Sequence, residues 1–263
     1  MSKNCYDDET FFQGYKKIRE SQNNYNDLLE QPAMRDYMPD VRGKKILDLG
    51  CGYGRNCVEF AEGGALRVVG IDSSKRMLET ANKESVHPNV EYMRLEAERL
   101  HEMNETFDIV YSSLVFHYIE DFEKLVLDIS SVLKGNGVLL FSQEHPIITA
   151  SPDKGLDWNY DDRGREISYT FTNYNRQGRR GSHWFIDDVI TYHRTMGTIV
   201  TTLADNGFHI DALYETAPKP FAVQKYPKLR KEFLKPNFLI IRARKMRILK
   251  EGLMKNETRR FLL

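Results

Sequence analysis

Apolar residues along this chain fall into short runs separated by polar turns. Lys45 to Leu49 is one such run, and it opens at once into a turn with glycine at every second position, Gly50, Gly52 and Gly54. A short apolar run bounded by turn residues predicts a buried strand. Arg55 to Gly63 then predicts a helix with Val58, Phe60 and Ala61 inward and a glycine stop. Leu66 to Asp72 predicts a second strand, Ser73-Ser74 an N-cap for a helix running to about Ser85, and Val90 to Met93 a short third strand. A helix over Phe122 to Leu133 and a strand over Val138 to Ser142 complete this core. Strands and helices alternating in this way predict right-handed crossovers and a parallel α/β sheet.

Outside the core the pattern is less regular. Residues 1–40 are polar and aromatic, with Phe11, Tyr15 and Ile18 at helical spacing, and predict a helical cap. Residues 145–187 form a long aromatic and polar connection, which in a compact domain is usually a lid or the wall of a binding pocket. Within it, Ile167 to Tyr174 predicts a small strand paired with Gly181 to Ile186. Asp188 to Asp205 predicts a helix presenting Tyr192, Met196 and Ile199, and Gly207 to Glu215 and Asn237 to Arg244 predict two further strands. Residues 246–263 read as a basic, solvated tail.

Composition narrows the class. With 263 residues, 41% of them hydrophobic, the chain can bury one large core, so residues 1–245 are expected to be a single domain. Lys and Arg total 38 and Asp and Glu total 38, which removes any global attraction to nucleic acid or a membrane surface. No apolar run approaches the ~18 residues a bilayer span needs. Three cysteines cannot make a disulfide framework, and a reduced, cytoplasmic setting is expected.

The glycine turn carries the chemistry. Alternating glycines admit positive φ and leave no Cβ in the way, so a ligand can lie against the main chain. Asp72, about 20 residues beyond, closes the second strand with a carboxylate able to accept two ribose hydroxyls. Dinucleotide enzymes share this device, but their G-x-G-x-x-G/A fingerprint has a small residue where Arg55 stands here. A long side chain at that packing point argues against a pyrophosphate and a nicotinamide-dependent oxidoreductase.

Asp48-Leu49-Gly50-Cys51-Gly52-Tyr53-Gly54 resembles the D/E-x-G-x-G-x-G first motif of class I S-adenosylmethionine-dependent methyltransferases. Three more pieces match in order: Arg94 to Leu100 resembles the adenine segment, Phe107 to Ile119 the fourth strand and its loop, and Leu133 to Phe141 the turn and fifth strand. The later segments resemble bacterial stand-alone methyltransferases of small molecules. The resemblance implies a Rossmann-like seven-stranded sheet of order 3-2-1-4-5-7-6, its last strand antiparallel, with helices on both faces. It also implies S-adenosylmethionine as cofactor and in-line transfer of its methyl group to a small-molecule acceptor.

It assigns residues as well. Asp48, Gly50, Cys51, Gly52 and Gly54 would form the cofactor loop. Asp72 and Ser73 would meet the ribose, and Glu96, Ala97, Glu98 and Met77 the adenine. Ser112, Ser113 and His117 would line the sulfonium region, and Tyr15 and Arg19 the methionine end, Arg19 pairing with the cofactor carboxylate. For a hydroxyl acceptor, His145 is the first expected general base and His117 the second. Tyr111-Ser112-Ser113-Leu114 stands where nucleobase methylases carry N/D-P-P-Y/F, so that acceptor is disfavoured. The histidines show no metal-ligand spacing. A non-catalytic nucleoside-binding module is the rival reading, and the choice of monomer or homodimer stays open.

Overall fold

A computed structural model describes residues 5–21, 24–151 and 158–247. In chain order its elements are α1 (Glu9–Glu20), α2 (Gln31–Tyr37), β1 (Lys45–Leu49), α3 (Arg55–Glu62), β2 (Arg67–Asp72), α4 (Lys75–Glu84), β3 (Val90–Arg94), β4 (Phe107–Ser113), α5 (Phe122–Val132) and β5 (Leu133–Glu144). There follow α6 (Pro146–Ala150), β6 (Trp158–Tyr160), β7 (Glu166–Tyr169), β8 (Gly178–Trp184), β9 (Ile186–His193), α7 (Met196–Asp205), β10 (Phe208–Glu215), α8 (Pro220–Lys225) and β11 (Phe238–Lys245).

Seven strands form one sheet in the order β10-β11-β5-β4-β1-β2-β3. Strands β1 to β5 pair in parallel, whereas β11 is antiparallel to both β5 and β10. Counting sheet strands only, this is the expected order 3-2-1-4-5-7-6.

Side chains divide between the two faces with the strand period of two. Ile46, Val68, Ile109, Leu140 and Ile240 pack under α2, α3 and α4, together with Met34, Phe60 and Leu78. Their neighbours Leu47, Val69, Val110, Leu139 and Leu239 face the opposite way, against Leu125 and Ile129 of α5 and Leu203 of α7. Both faces are apolar because helices cover both. In α3, Cys57 takes the inward place expected of Val58, which is only half-buried.

Two expectations about the C-terminal half are corrected. Residues 188–205 are not one helix: β9 ends at His193 and α7 begins at Met196. Val189, Thr191 and His193 are buried while their neighbours are less so, which is a strand alternation built on β-branched residues. Thr195 then caps α7, its side chain accepting from the Thr198 N–H. The hairpin partners also differ. β8 pairs with β9, and β7 pairs with β6 rather than with residues near Gly181. Of the basic tail, only Met246 and Arg247 fall within the described residues; Met246 donates to the Gly207 carbonyl.

Candidate active site

The parallel strands end together at one edge of the sheet, where ligands bind in open α/β folds. Here they open into a cavity of about 1010 Å³. Its floor is the glycine loop, the end of β2, and the segments after β3 and β4. Its other walls come from α1 and the β8–β9 hairpin. Pockets for drug-sized ligands span roughly 300–1,000 Å³, so this one has room for a nucleoside cofactor and a second small molecule together.

The glycines of the loop meet different constraints. Gly50 has φ +77°, and a Cβ there would stand 2.2 Å from Val115 Cγ2, so only glycine fits. Gly52, at φ +54°, has nothing within 4 Å of its would-be Cβ and leaves bare main chain facing the cavity. Gly54 lies behind the loop, where the Tyr92 phenol occupies the Cβ space.

Asp72 is held from both sides. Its Oδ2 accepts from the Gly52 N–H at 2.9 Å and its Oδ1 from the Ser74 N–H at 2.8 Å. A carboxylate has about four lone-pair sites, so acceptor capacity remains for hydroxyl donors. Burial pushes its pKa up, and the Ser74 and Gly52 amides oppose that shift. Ser74 also donates through Oγ to Asp7 Oδ1 at 2.7 Å, joining the end of β2 to the N-terminal segment.

Of the residues expected at the site, Tyr15, Arg19, Gly50, Cys51, Gly52, Asp72 and Ser73 line the cavity. Met77, Glu96, Ala97, Glu98, Ser113 and His117 line it too. Arg19 brings a charge: its Nη1 lies 3.8 Å from Asp27 Oδ1 and, among the described residues, is buried without a hydrogen-bond partner. The Glu144 N–H donates to His117 Nδ1 at 3.4 Å.

Four expected residues do not border the cavity. Asp48 points into the α3 face, accepts from Cys57 Sγ at 3.2 Å, and is raised by burial to a pKa of about 7. Gly54 starts α3. Ser112 donates from Oγ to the Leu49 carbonyl at 2.7 Å, tying the ends of β4 and β1 together. His145, expected as the first general base, also lies off the cavity. It caps α6, its Nδ1 accepting from the Ile147 N–H, and its Nε2 lies 2.8 Å from Glu215 on β10. Burial lowers its pKa against the pull of Glu215. Both ring nitrogens are engaged away from the cavity.

The structure adds residues that sequence reasoning missed. Tyr6, Tyr118, Trp184 and Glu144 border the cavity. Glu30 is fully buried behind Ser113 and accepts from Ser113 Oγ at 2.9 Å, Ser142 Oγ at 2.5 Å and Gln31 Nε2 at 2.8 Å. Tyr118 could have been found as the neighbour of His117. Nothing local marks the others.

A Rossmann-like sheet, a bare glycine loop and a ribose-type acid define a nucleoside-binding α/β protein, and comparison with known proteins specifies which. A family described as a methyltransferase domain matches residues 47–141. An uncharacterized protein of Haemophilus influenzae is 37% identical over 251 residues, covering 92% of this chain and 96% of the relative. A Listeria monocytogenes structure, described as a candidate S-adenosylmethionine-dependent methyltransferase, is 35% identical with a TM-score of 0.74, covering 83% of this chain and 98% of that one. A second such methyltransferase, from Mesorhizobium loti, is 36% identical with a TM-score of 0.77 and coverages of 82% and 97%. The chain belongs to the S-adenosylmethionine-dependent methyltransferases, and S-adenosylmethionine is its cofactor.

Proposed function

We propose that this enzyme methylates a small molecule held beneath α1 and the β8–β9 hairpin, with its cofactor lying along the glycine loop. One observation carries the cofactor placement: the Asp72 carboxylate, held by main-chain amides, borders the cavity with acceptor capacity left over. A carboxylate can accept from both vicinal hydroxyls of a ribose.

The neighbouring residues take their roles from that anchor. Glu96 and the Ala97 N–H meet the adenine edge, and Met77 supplies an apolar wall to its ring. Gly50 and Gly52 let the nucleoside lie on main chain. Arg19, whose Nη1 lacks a hydrogen-bond partner among the described residues, pairs with the cofactor's carboxylate. Tyr15, Ser113 and His117 line the reacting end. Asp48 and Ser112 act from behind, holding the shape of the loop. Residues 1–40 serve as a cap and residues 145–187 as a lid within one domain.

When bound, the cofactor supplies an electrophilic methyl group on a positively charged sulfur. The protein's part is to place the acceptor atom in line with that methyl group and to exclude water. Orientation of this kind can supply ~7 to 11 kcal/mol in favourable cases. No covalent intermediate with the protein is required. The setting is taken to be cytoplasmic, and no helix among the described residues is long and apolar enough to cross a membrane.

Calorimetric titration with S-adenosylmethionine, S-adenosylhomocysteine and NAD tests the placement. The first two should bind, and Asp72→Ala should weaken both by roughly tenfold or more, since each lost bond to a charged acceptor is worth about 1.5 to 3 kcal/mol. Unchanged affinity in the variant would remove Asp72 from the ribose site.

A further inference from the structure

Four aromatic rings from three separate segments border the cavity beyond the glycine loop: Tyr6 and Tyr15, Tyr118 after β4, and Trp184 at the end of β8. Successive planes stand close to perpendicular. Tyr6 meets Tyr15 at 89° with centroids 5.2 Å apart and Tyr118 at 87° and 6.1 Å, and Tyr15 meets Trp184 at 85° and 6.1 Å. These four rings meet at right angles like the corner of a box, Trp184 being backed by Phe185, stacked on it at 27° and 5.4 Å, and ring faces attract cations.

Charge points the same way. Seven carboxylates border the cavity against three arginines, an excess of four negative charges in a chain whose formal net charge is zero. Arg19 and Arg55 lie at the glycine-loop end beside Asp27, and Arg179 is exposed on the hairpin. Near the aromatic corner the bordering carboxylates include Asp8, Asp187, Asp188 and Glu144, the last at the end of β5. After burial itself, Glu144 is the largest influence pushing the Tyr118 phenol's pKa up, so its carboxylate acts on that ring.

These surroundings discriminate among nucleophiles. A phenolate, thiolate or carboxylate is an anion when it attacks and would meet Glu144 as a like charge. An amine is a cation in water and neutral when it attacks, so rings and carboxylate both favour its arrival. We propose that the methyl acceptor is an aliphatic amine, seated in the corner of Tyr6, Tyr15, Tyr118 and Trp184 beside Glu144; this rests on the methyltransferase reading of the cavity. The ammonium first releases one proton to solvent. The nitrogen lone pair then forms the N–C bond as the C–S bond breaks, leaving its electron pair on sulfur. The positive charge formerly on sulfur ends on the methylated nitrogen, and neutral sulfur remains in S-adenosylhomocysteine.

The test uses the full chain saturated with S-adenosylhomocysteine and titrated with three probes of similar size, phenethylamine, 4-ethylphenol and phenylacetate. Phenethylamine should bind roughly tenfold or more tightly than the other two, in keeping with a desolvated cation–π site. Glu144→Gln and, separately, Trp184→Leu should each erase most of that preference while leaving affinity for S-adenosylhomocysteine intact. With S-adenosylmethionine supplied instead, mass spectrometry should find one methyl group added to phenethylamine. Equal or tighter binding of the phenol or the carboxylate, or no binding of phenethylamine, overturns the amine assignment. Failure of S-adenosylhomocysteine itself to bind is a separate result, which removes the methyltransferase reading of the cavity and the amine assignment with it.

Discussion

The ring of Phe185 lies directly on Gly14: a Cβ on Gly14 would stand 2.5 Å from Phe185 Cδ1. Phe185 forms the tip of the β8–β9 turn at φ 62°, and its ring also meets Phe11 edge-on at 5.7 Å. The missing side chain in α1 is therefore what lets the hairpin dock on the N-terminal helix.

Gly14→Ala should lift that docking even though alanine favours the helix itself by up to about 1 kcal/mol. Overpacking of this kind costs roughly 1–3 kcal/mol. Hydrogen exchange in β8 and β9 should quicken in the variant. Adding Phe185→Ala should produce no further increase, because the clash and the contact are then both gone. Independent, additive effects would show that the two residues do not couple.

Asp48 makes a pH prediction. Its folded pKa is raised by burial to about 7 from an ordinary value of 3.8. Between those values the folded state holds more protons than the unfolded one, so this group's contribution to stability falls as pH rises through that window and levels off above it. Asp48→Asn keeps an acceptor for Cys57 without the charge. Urea unfolding from about pH 4 to pH 8 should therefore show the variant gaining on the wild type as pH rises. A constant difference across that range would contradict the buried, raised carboxyl.

His145 should prove a stability residue. As the N-cap of α6 it is worth about 0.5–2 kcal/mol, and it does not border the cavity. His145→Ala should lower the denaturation midpoint while leaving the single-turnover rate of methyl transfer unchanged. His117→Ala, by contrast, should alter that rate, since His117 lines the cavity.

Lys235 holds the small β6–β7 hairpin. Its ammonium sits 5.2 Å from the Trp158 ring and 5.1 Å from Tyr169, and it bonds to Glu232 and Asn237 while only 8% exposed. Breaking a buried pair from one side strands the other charge, at about 3–5 kcal/mol. Lys235→Met should destabilise by that order in chemical denaturation. The double variant with Glu232→Gln should recover part of the loss.

The readable parts of this molecule were those whose cause is local. The glycine loop and Asp72 follow from spacing within one β-α-β unit, and the strand order follows from the resemblance those residues carry. The place of His145 was not legible because a histidine after a strand end looks alike whether it faces a cavity or caps a helix; its contact with Glu215, 70 residues on, lies outside any local pattern. Residues 188–193 read as helix because their apolar spacing fits both periods, and only pairing with β8 selects the strand. The aromatic corner was unreadable because Tyr6, Tyr118 and Trp184 are brought together by three segments with no shared pattern.

Ser74 joins two parts of the cavity. Its amide holds Asp72, and its hydroxyl holds Asp7 in the segment leading into α1. One residue thus fastens the nucleoside floor to the part of the chain that covers it. Lifting that segment away from the floor therefore requires breaking the Ser74–Asp7 hydrogen bond.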